Sequence, residues 1–326
     1  MKSKNYRWGI LGAGRIAEKF CTALVHVKGS EVYAVASRDR NKAREYAVKF
    51  NATSVYGNYA DLVKDENVDI IYIATPHVFH YEQAMLCLQN KKAVLCEKPL
   101  TLSSRKTAEL IKTAKDNQVF FMEGMWTACM PFIEKIGTFI KDGMIGHPKS
   151  LLADFGFSAP VDLESRLYNK SLGGGALMDV GVYPLFLATW LFGEPSLIKT
   201  VSKLSVTGID EYTGMMLQYP NGEISQLISA ISFNTAIEAE IIGTKGRIKI
   251  NNPWFKATEF SVFLNDGTTQ HISIPHQSNG FEHEIKEVMH CLENGLLESN
   301  KVPHHFTLMV SKIVDEVLQQ AGVVYE

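Results

Sequence analysis

Cysteine is scarce: five in 326 residues, with no C-x-x-C pair, are too few and too scattered for a disulfide or zinc framework. Cys21, Cys87, Cys96, Cys129 and Cys291 are therefore expected to be reduced thiols of a cytoplasmic protein. Charge of one sign is not in excess either. Thirty-three Lys and Arg stand against 35 Asp and Glu, a net charge of −2. Binding a phosphate backbone needs a cationic surplus, so no nucleic-acid partner is expected. The longest uncharged apolar stretch covers 180–193 and is interrupted by Pro184. It falls short of the roughly 20 apolar residues of a spanning helix, so no membrane association is expected. The basic start (Lys2, Lys4, Arg7) leads into no apolar stretch, so no signal peptide is expected. Internal repeats and low-complexity segments are lacking as well. What is present is ordinary globular composition, 46% hydrophobic and 21% charged. At about 150 residues per domain, the length suggests two domains.

Apolar runs alternate with helical patterns over the first 124 residues. Strand-like runs at 6–11, 31–36, 69–74, 93–96 and 119–122 are separated by helical spacing at 15–27, 41–50, 79–89 and 103–116. The run Asp69-Ile70-Ile71-Tyr72-Ile73-Ala74 is apolar throughout its centre, as a strand covered on both faces would be. This alternation predicts βαβ units around a parallel sheet. After Trp126 the pattern changes. Helical segments at 131–141 and 174–191 flank a strand at 148–157. Strand-like runs follow at 197–206, 214–219, 224–232, 236–242, 247–250, 260–264 and 271–274, with turn signals at 220–222, 244–246 and 265–267. Tight turns between consecutive strands predict a mostly antiparallel sheet. An amphipathic helix starting near Phe281 and a last helix at 305–320 close the chain. The expected class is α/β: a nucleotide-binding domain over 1–124 and an α+β domain over 125–326, the last helix being able to pack back on the first domain.

Gly12-Ala13-Gly14-Arg15-Ile16-Ala17 follows the first strand and opens the first helix. It is a G-x-G-x-x-A form of the dinucleotide fingerprint, in the strand–turn–helix context the motif requires. Gly12 permits the tight turn, Gly14 lets the backbone approach a pyrophosphate, and Ala17 allows close helix–strand packing. The helix N-terminus offers N–H groups and a positive dipole end to the phosphates. The second strand ends at Ser37-Arg38-Asp39. NAD enzymes usually place an acid at this tip to hold the ribose 2′-hydroxyl. Here a small hydroxyl, Ser37, and a guanidinium, Arg38, suit a 2′-phosphate, with Lys42 one turn on. Arg38 could equally stack on adenine, and Asp39 could still point at the ribose. NADP is the expected cofactor, with NAD as the alternative.

Glu97-Lys98-Pro99 stands at the carboxyl end of the strand over 93–96, where doubly wound sheets place ligands. Lys98 there could reach toward a nicotinamide, or simply be solvated. Asp179 and Tyr183 are spaced i, i+4 in an otherwise apolar helical stretch, so both project from one face. A lone buried carboxylate is costly unless paired, so Asp179 is expected to face a polar cleft or a cation. Tyr183 could exchange a proton with substrate. A phenol ordinarily titrates near 10, so that role needs an ammonium such as Lys98 to favour the phenolate. The competing reading is a buried tyrosine hydrogen-bonded to an aspartate.

Taken together, G-A-G-R-I-A at 12–17, E-K-P at 97–99, M-E-G-M-W-T at 122–127, G-G-G-A-L-M-D-V-G-V-Y at 173–183 and C-L-E-N-G-L-L-E-S at 291–299 resemble the glucose–fructose oxidoreductase/inositol dehydrogenase/MocA family. Within it they are most similar to the subgroup of dihydrodiol and NADP-dependent D-xylose dehydrogenases. The resemblance implies a Rossmann domain followed by an α/β domain whose open sheet forms a homodimer interface. It implies that Lys98 is the catalytic lysine, Tyr183 the acid/base and Asp179 a residue that orients substrate and lysine. Trp126, Phe155 and Phe281 match substrate-pocket aromatics, with core packing as the alternative for each. Thr75, Pro76, His77, His80 and Glu97 should join the cofactor cleft. His77 and His80 could be mistaken for a metal pair, but no third ligand is evident and the chemistry needs none, so no metal is expected. Lys42 stands where the subgroup can carry a second arginine, which implies a weaker phosphate grip.

The expected function is hydride transfer between NADP and an alcohol carbon of a sugar, polyol or dihydrodiol. Two rivals stand beside it: a non-catalytic cofactor-sensing regulator, and a keto-sugar reductase working in the reverse direction.

Overall fold

The computed structural model describes residues 5–325; residues 1–4 and 326, which include Lys2 and Lys4 of the basic start, lie outside the described residues. The chain divides into two compact units. The first comprises residues up to Cys129 together with His276–Leu308, the second Met130–Pro275 with residues from Met309 onward.

In the first unit six strands form one parallel sheet: β1 (Tyr6–Leu11), β2 (Ser30–Ala36), β3 (Ser54–Tyr56), β4 (Ile70–Ile73), β5 (Ala93–Glu97) and β6 (Phe121–Gly124). Their order is β3-β2-β1-β4-β5-β6, all neighbours parallel. Chain order reverses beside β1, the switch point at which such sheets bind nucleotides. All four side chains of β4 are buried, which accounts for its unbroken apolar run. Between the strands run α1 (Arg15–Leu24), α2 (Arg40–Phe50), α3 (Tyr59–Lys64), α4 (His80–Gln89) and α5 (Ser104–Asp116).

The segment that returns to this unit contains α8 (Phe281–Glu293), beyond the second unit's α6 (Pro131–Lys141) and α7 (Val182–Phe192). Its inward face, Phe281, Glu284, Ile285 and Val288, is buried. Phe281 meets Phe20 of α1 edge-on at 6.0 Å, and Asn279 donates to the Lys19 carbonyl at 2.8 Å. The boundary drawn at 124/125 takes no account of this return. An amphipathic helix announces that it needs a surface to cover, not which surface. The final helix, α9 (His304–Ala321), contributes residues to both units.

The second unit is built on eight strands: β7 (Pro148–Gly156), β8 (Leu197–Leu204), β9 (Asp210–Gln218), β10 (Ile224–Ala230), β11 (Ala239–Gly243), β12 (Gly246–Ile250), β13 (Glu259–Leu264) and β14 (Thr269–Ser273). Their order is β14-β13-β12-β11-β7-β10-β9-β8. Every pairing is antiparallel except β7 with β10. The expected turns fall between β9 and β10, β11 and β12, and β13 and β14. β11 starts three residues later than its apolar pattern suggests. Ile237 takes φ 54°, and its N–H goes to the Asp154 carboxylate at 2.6 Å instead of to a neighbouring strand.

The stretch expected as one helix over 174–191 is instead a wide π turn, Leu177–Gly181, leading into α7. The Val182 N–H reaches back five residues to the Leu177 carbonyl. Pro184 has no N–H for the Val180 carbonyl and would crowd it in a regular helix, so the wider turn relieves the contact. One face of this sheet stays open. Val201, Met216 and Ile228 are 79%, 50% and 45% exposed on it.

Candidate active site

α1 begins at Gly14 with no capping side chain, whereas α2 is capped by Asp39 and α5 by Ser103. The first N–H groups of α1 are thus left for an anion. Gly12 takes φ 103°, and a Cβ there would come within 2.9 Å of the Thr75 methyl. A cleft of about 560 Å³ opens before this turn, lined among others by Gly12, Ala13, Gly14, Ser37, Arg38, Lys42, Thr75 and Pro76. Arg15 and Ile16 continue from it into α1.

At the tip of β2 the acid is already engaged. The Asp39 carboxylate accepts the N–H groups of Asn41, at 2.9 Å, and Lys42. The Asp39 N–H in turn goes to the Ser37 hydroxyl at 3.2 Å. Arg38 is exposed and lies over the Phe79 ring at 5.4 Å. The guanidinium therefore rests on a protein aromatic at the rim of the cleft.

The residues flanking Lys98 are held at three points. Tyr72 donates its hydroxyl to Glu97, the Leu100 N–H goes to Glu123 at 3.1 Å, and His80 Nδ1 lies 3.0 Å from the Pro99 carbonyl. His80 Nε2 lies 2.8 Å from the Thr75 carbonyl, so this one ring ties the cofactor cleft to the turn after β5. Two carbonyl acceptors would suit an imidazolium. Burial, with help from the Lys98 charge, instead pushes His80 down to about 4. We take it as neutral, because a fully enclosed cation beside an ammonium is the costlier choice; one ring N–H then donates to one carbonyl, and the other nitrogen only packs against the second. Burial raises Glu97 and pushes Glu123 up to about 7. His77 is buried in the turn His77–Phe79, its ring 6.4 Å from that of His80. The carbonyl contacts of His80 make it a brace, not a metal ligand. Trp126 and Phe281 stack at 4.4 Å, both nearly enclosed.

A second histidine group holds His276 Nδ1 and His283 Nε2 at 3.2 Å, with Glu282 alongside. The Glu282 carboxylate already accepts the N–H groups of Gln277, Ser278 and Gly280, and Lys286 and Lys301 act on His283 as cations. It clamps the loop before α8.

In the second unit Asp179 lies in the π turn and Tyr183 in the first turn of α7. Asp179 is ion-paired with Arg166 at 2.8 Å, which supplies the cation its apolar surroundings called for. Tyr183 is buried against a stacked pair of aromatics. Its ring lies 5.4 Å from Phe155 and 5.3 Å from Phe255, and those two stack at 4.4 Å. Phe255 and Arg166 were not singled out from the sequence, because neither lies near a motif. Phe255 sits on the turn Trp254–Lys256, fixed by the Trp254 indole N–H donating to the Asp154 carbonyl at 2.8 Å. Within the first unit, then, the structure gathers the glycine turn, the β2 tip, the Lys98 turn, and Trp126 with Phe281. Within the second it gathers Asp179, Tyr183 and Phe155.

Residues 6–125 match the family described as "Oxidoreductase family, NAD-binding Rossmann fold", and residues 133–249 match the GFO/IDH/MocA C-terminal domain. Over 331 residues the chain is 37% identical to the trans-1,2-dihydrobenzene-1,2-diol dehydrogenase of Xenopus tropicalis, covering 98% of this chain and 99% of that one. The human enzyme of the same name is 32% identical over 328 residues, with 98% of each chain covered. Among solved structures, an aldose–aldose oxidoreductase from Caulobacter crescentus, complexed with glycerol, has the same fold. Its TM-score is 0.89 at 22% identity, over 98% of both chains.

Proposed function

The chain belongs to the GFO/IDH/MocA oxidoreductase family, and we propose that it is an NADP-dependent dehydrogenase of a sugar, polyol or trans-dihydrodiol, with Tyr183 as acid/base and Lys98 as its aid. The placement of Tyr183 carries this reading. A phenol walled by Phe155 and Phe255, on the turn after an ion-paired Asp179, has an apolar wall for a substrate ring or carbon chain and a polar edge for its hydroxyls.

The cofactor's fit rests on the uncapped start of α1, the glycine cradle and the spent carboxylate of Asp39. When bound, the nicotinamide supplies hydride acceptance at C4, or donation in the reverse direction. Ser37 and Arg38 would hold the 2′-phosphate, since the acid at the β2 tip, Asp39, is occupied as a helix cap and is a poor ribose ligand. In the oxidation Tyr183 Oη takes the hydroxyl proton as the substrate carbon gives up hydride. The Lys98 ammonium steadies the developing alkoxide and the phenolate. Carbonyl reduction retraces the same path, so a keto-sugar reductase would use the same residues. His80, Glu97 and Glu123 hold the Lys98 turn, and Asp179 with Arg166 orients substrate hydroxyls.

The exposed Val201, Met216 and Ile228 lie on a shallow concavity of about 710 Å³, whose other lining residues include Lys199, Glu238, Glu240, Arg247 and Lys249. Apolar centre and mixed-charge margin suit a second copy of the same sheet, which supports a homodimer. Five buried free thiols support a reducing, cytoplasmic setting.

The test is turnover of aldoses and dihydrodiols followed at the NADPH absorbance band. Tyr183→Phe and Lys98→Met should each lower kcat by about 10²–10⁴-fold with NADP binding retained. Cofactor binding without turnover on any substrate would favour the regulator instead.

A further inference from the structure

β9 opens with Asp210, whose side chain is fully buried. Its Oδ2 accepts the Leu177 N–H at 2.8 Å and the Thr213 hydroxyl at 2.8 Å. Leu177 is the first residue of the π turn that bears Asp179 and runs on into Tyr183. The other oxygen, Oδ1, is buried and accepts no hydrogen bond of good geometry among the described residues, although the N–H groups of Ala176 and of Asp210 itself lie near enough to the carboxylate to favour its charge. It faces the place where Gly175 has no side chain. A Cβ there would lie 2.4 Å from Oδ1 and 2.9 Å from the Tyr325 hydroxyl, with Gly175 itself at φ 131°. Tyr325, near the other end of the unit's sequence, donates to the Gly174 carbonyl at 2.5 Å. Two distant side chains thus converge on the glycine loop that launches the turn.

An ordinary helix start is served by Ser, Thr, Asn or an exposed Asp such as Asp39, none of which buries a charge. Here a fully buried carboxyl does it, at a cost. Burial pushes Asp210 up to about 6, against the pull of Thr213 and of the backbone N–H groups. The folded value lies above the ordinary 3.8, so the folded state holds the proton more tightly than the unfolded one. Stability therefore falls as pH rises between those values and stays lowered at neutral pH. Other ionisable groups on the packed elements are Tyr325 from the tail, Tyr168 and Lys170 from the loop before the glycines, and Glu211 with Lys203 on β9 and β8.

We propose that Asp210 is a positioning residue for the reaction: its carboxylate anchors the first N–H of the turn carrying Asp179 and leading to Tyr183, so the phenol is correctly placed only while Asp210 is ionised. The inference rests on Tyr183 as acid/base. Protonation weakens the charge-assisted bond to the Leu177 N–H and so shifts the start of the turn, without lowering the stability of the fold. Displacement of a catalytic group by a fraction of an ångström is enough to slow turnover.

The experiment is kcat from pH 5 to 9 at saturating NADP for the wild type, Asp210→Asn and Thr213→Val, with the unfolding midpoint of each at pH 8. The wild type should lose activity on the acid side with a midpoint near that of Asp210. Asp210→Asn keeps the acceptor and removes the charge. It should bind NADP normally and be at least as stable as wild type at pH 8. It should turn over on the order of tenfold more slowly and show no acid limb. Thr213→Val removes one donor and should move the limb upward by up to about one pH unit. A wild-type acid limb in Asp210→Asn, an unmoved limb in Thr213→Val, or a kcat loss matched by a lower unfolding midpoint would overturn the proposal. Tyr183→Phe in the same series separates the two ideas. If it stays active, the acid/base assignment fails. If it is inactive while Asp210→Asn behaves as wild type, only the positioning role fails.

Discussion

Arg38→Ala removes from the β2 tip an exposed guanidinium that lies 5.4 Å over the Phe79 ring. The cation–π contact restrains it at the rim of the cleft for about 0.5–1 kcal/mol, so little ordering remains to be done when a phosphate arrives. A hydrogen bond to a charged group contributes about 1.5–3 kcal/mol. Solvent exposure puts this one near the lower end, about 1.5–2 kcal/mol, or roughly 10- to 30-fold in Kd. NAD has no 2′-phosphate and should lose almost nothing. Titration calorimetry of both cofactors on both proteins reads the difference directly. The expected outcome is NADP weakened 10- to 30-fold and NAD unchanged to within about twofold. Equal weakening of both would mean that Arg38 serves the adenine, which they share, and the case for NADP would fall. Asp39→Asn is the control. It keeps a capping oxygen on α2, and should leave NAD affinity unchanged while not weakening NADP.

Glu123→Gln should flatten part of the pH dependence of stability. Its folded value of about 7 against 4.5 makes the wild type less stable as pH rises between them, by at most ~3 kcal/mol and less for partial exposure; chemical unfolding at pH 5 and pH 8 measures the slope, and an unchanged slope contradicts the assignment. Gly175→Ala forces a side chain to φ 131° against Asp210, and urea unfolding should show a loss of roughly 2 kcal/mol or more, a wild-type midpoint refuting the clash. Ile228→Lys with Val201→Glu should shift the light-scattering mass from dimer to monomer; a dimer that persists would place its interface elsewhere.

The Rossmann half was legible because its signals are local. A fingerprint between strand and helix, and an apolar run too long for a half-exposed strand, each need only neighbouring residues. β3 and α3 went unforeseen, since three and six residues are too short for a period to register. The return of α8 and the pairing of β7 with β10 depend on contacts far apart in sequence. The candidate site divides in the same way. Gly12, Lys98 and Tyr183 sit in motifs and could be named. Phe255, Arg166 and Asp210 reach the site only through folding. For Arg166 there was a clue: an aspartate in an apolar stretch implied a cation without saying where along the chain it lay. Asp39 is the reverse case, a residue visible at the right place whose carboxylate is spent on its own helix.

The central claim is that Tyr183 and Lys98 act on one proton as a unit. Residues that work as a unit lose activity non-additively. The decisive measurement is kcat of the Tyr183→Phe, Lys98→Met double variant beside each single variant, with NADP saturating. The account predicts that the double variant is about as slow as the slower single one. Losses that multiply, or a Tyr183→Phe enzyme that turns over at the wild-type rate, would contradict it.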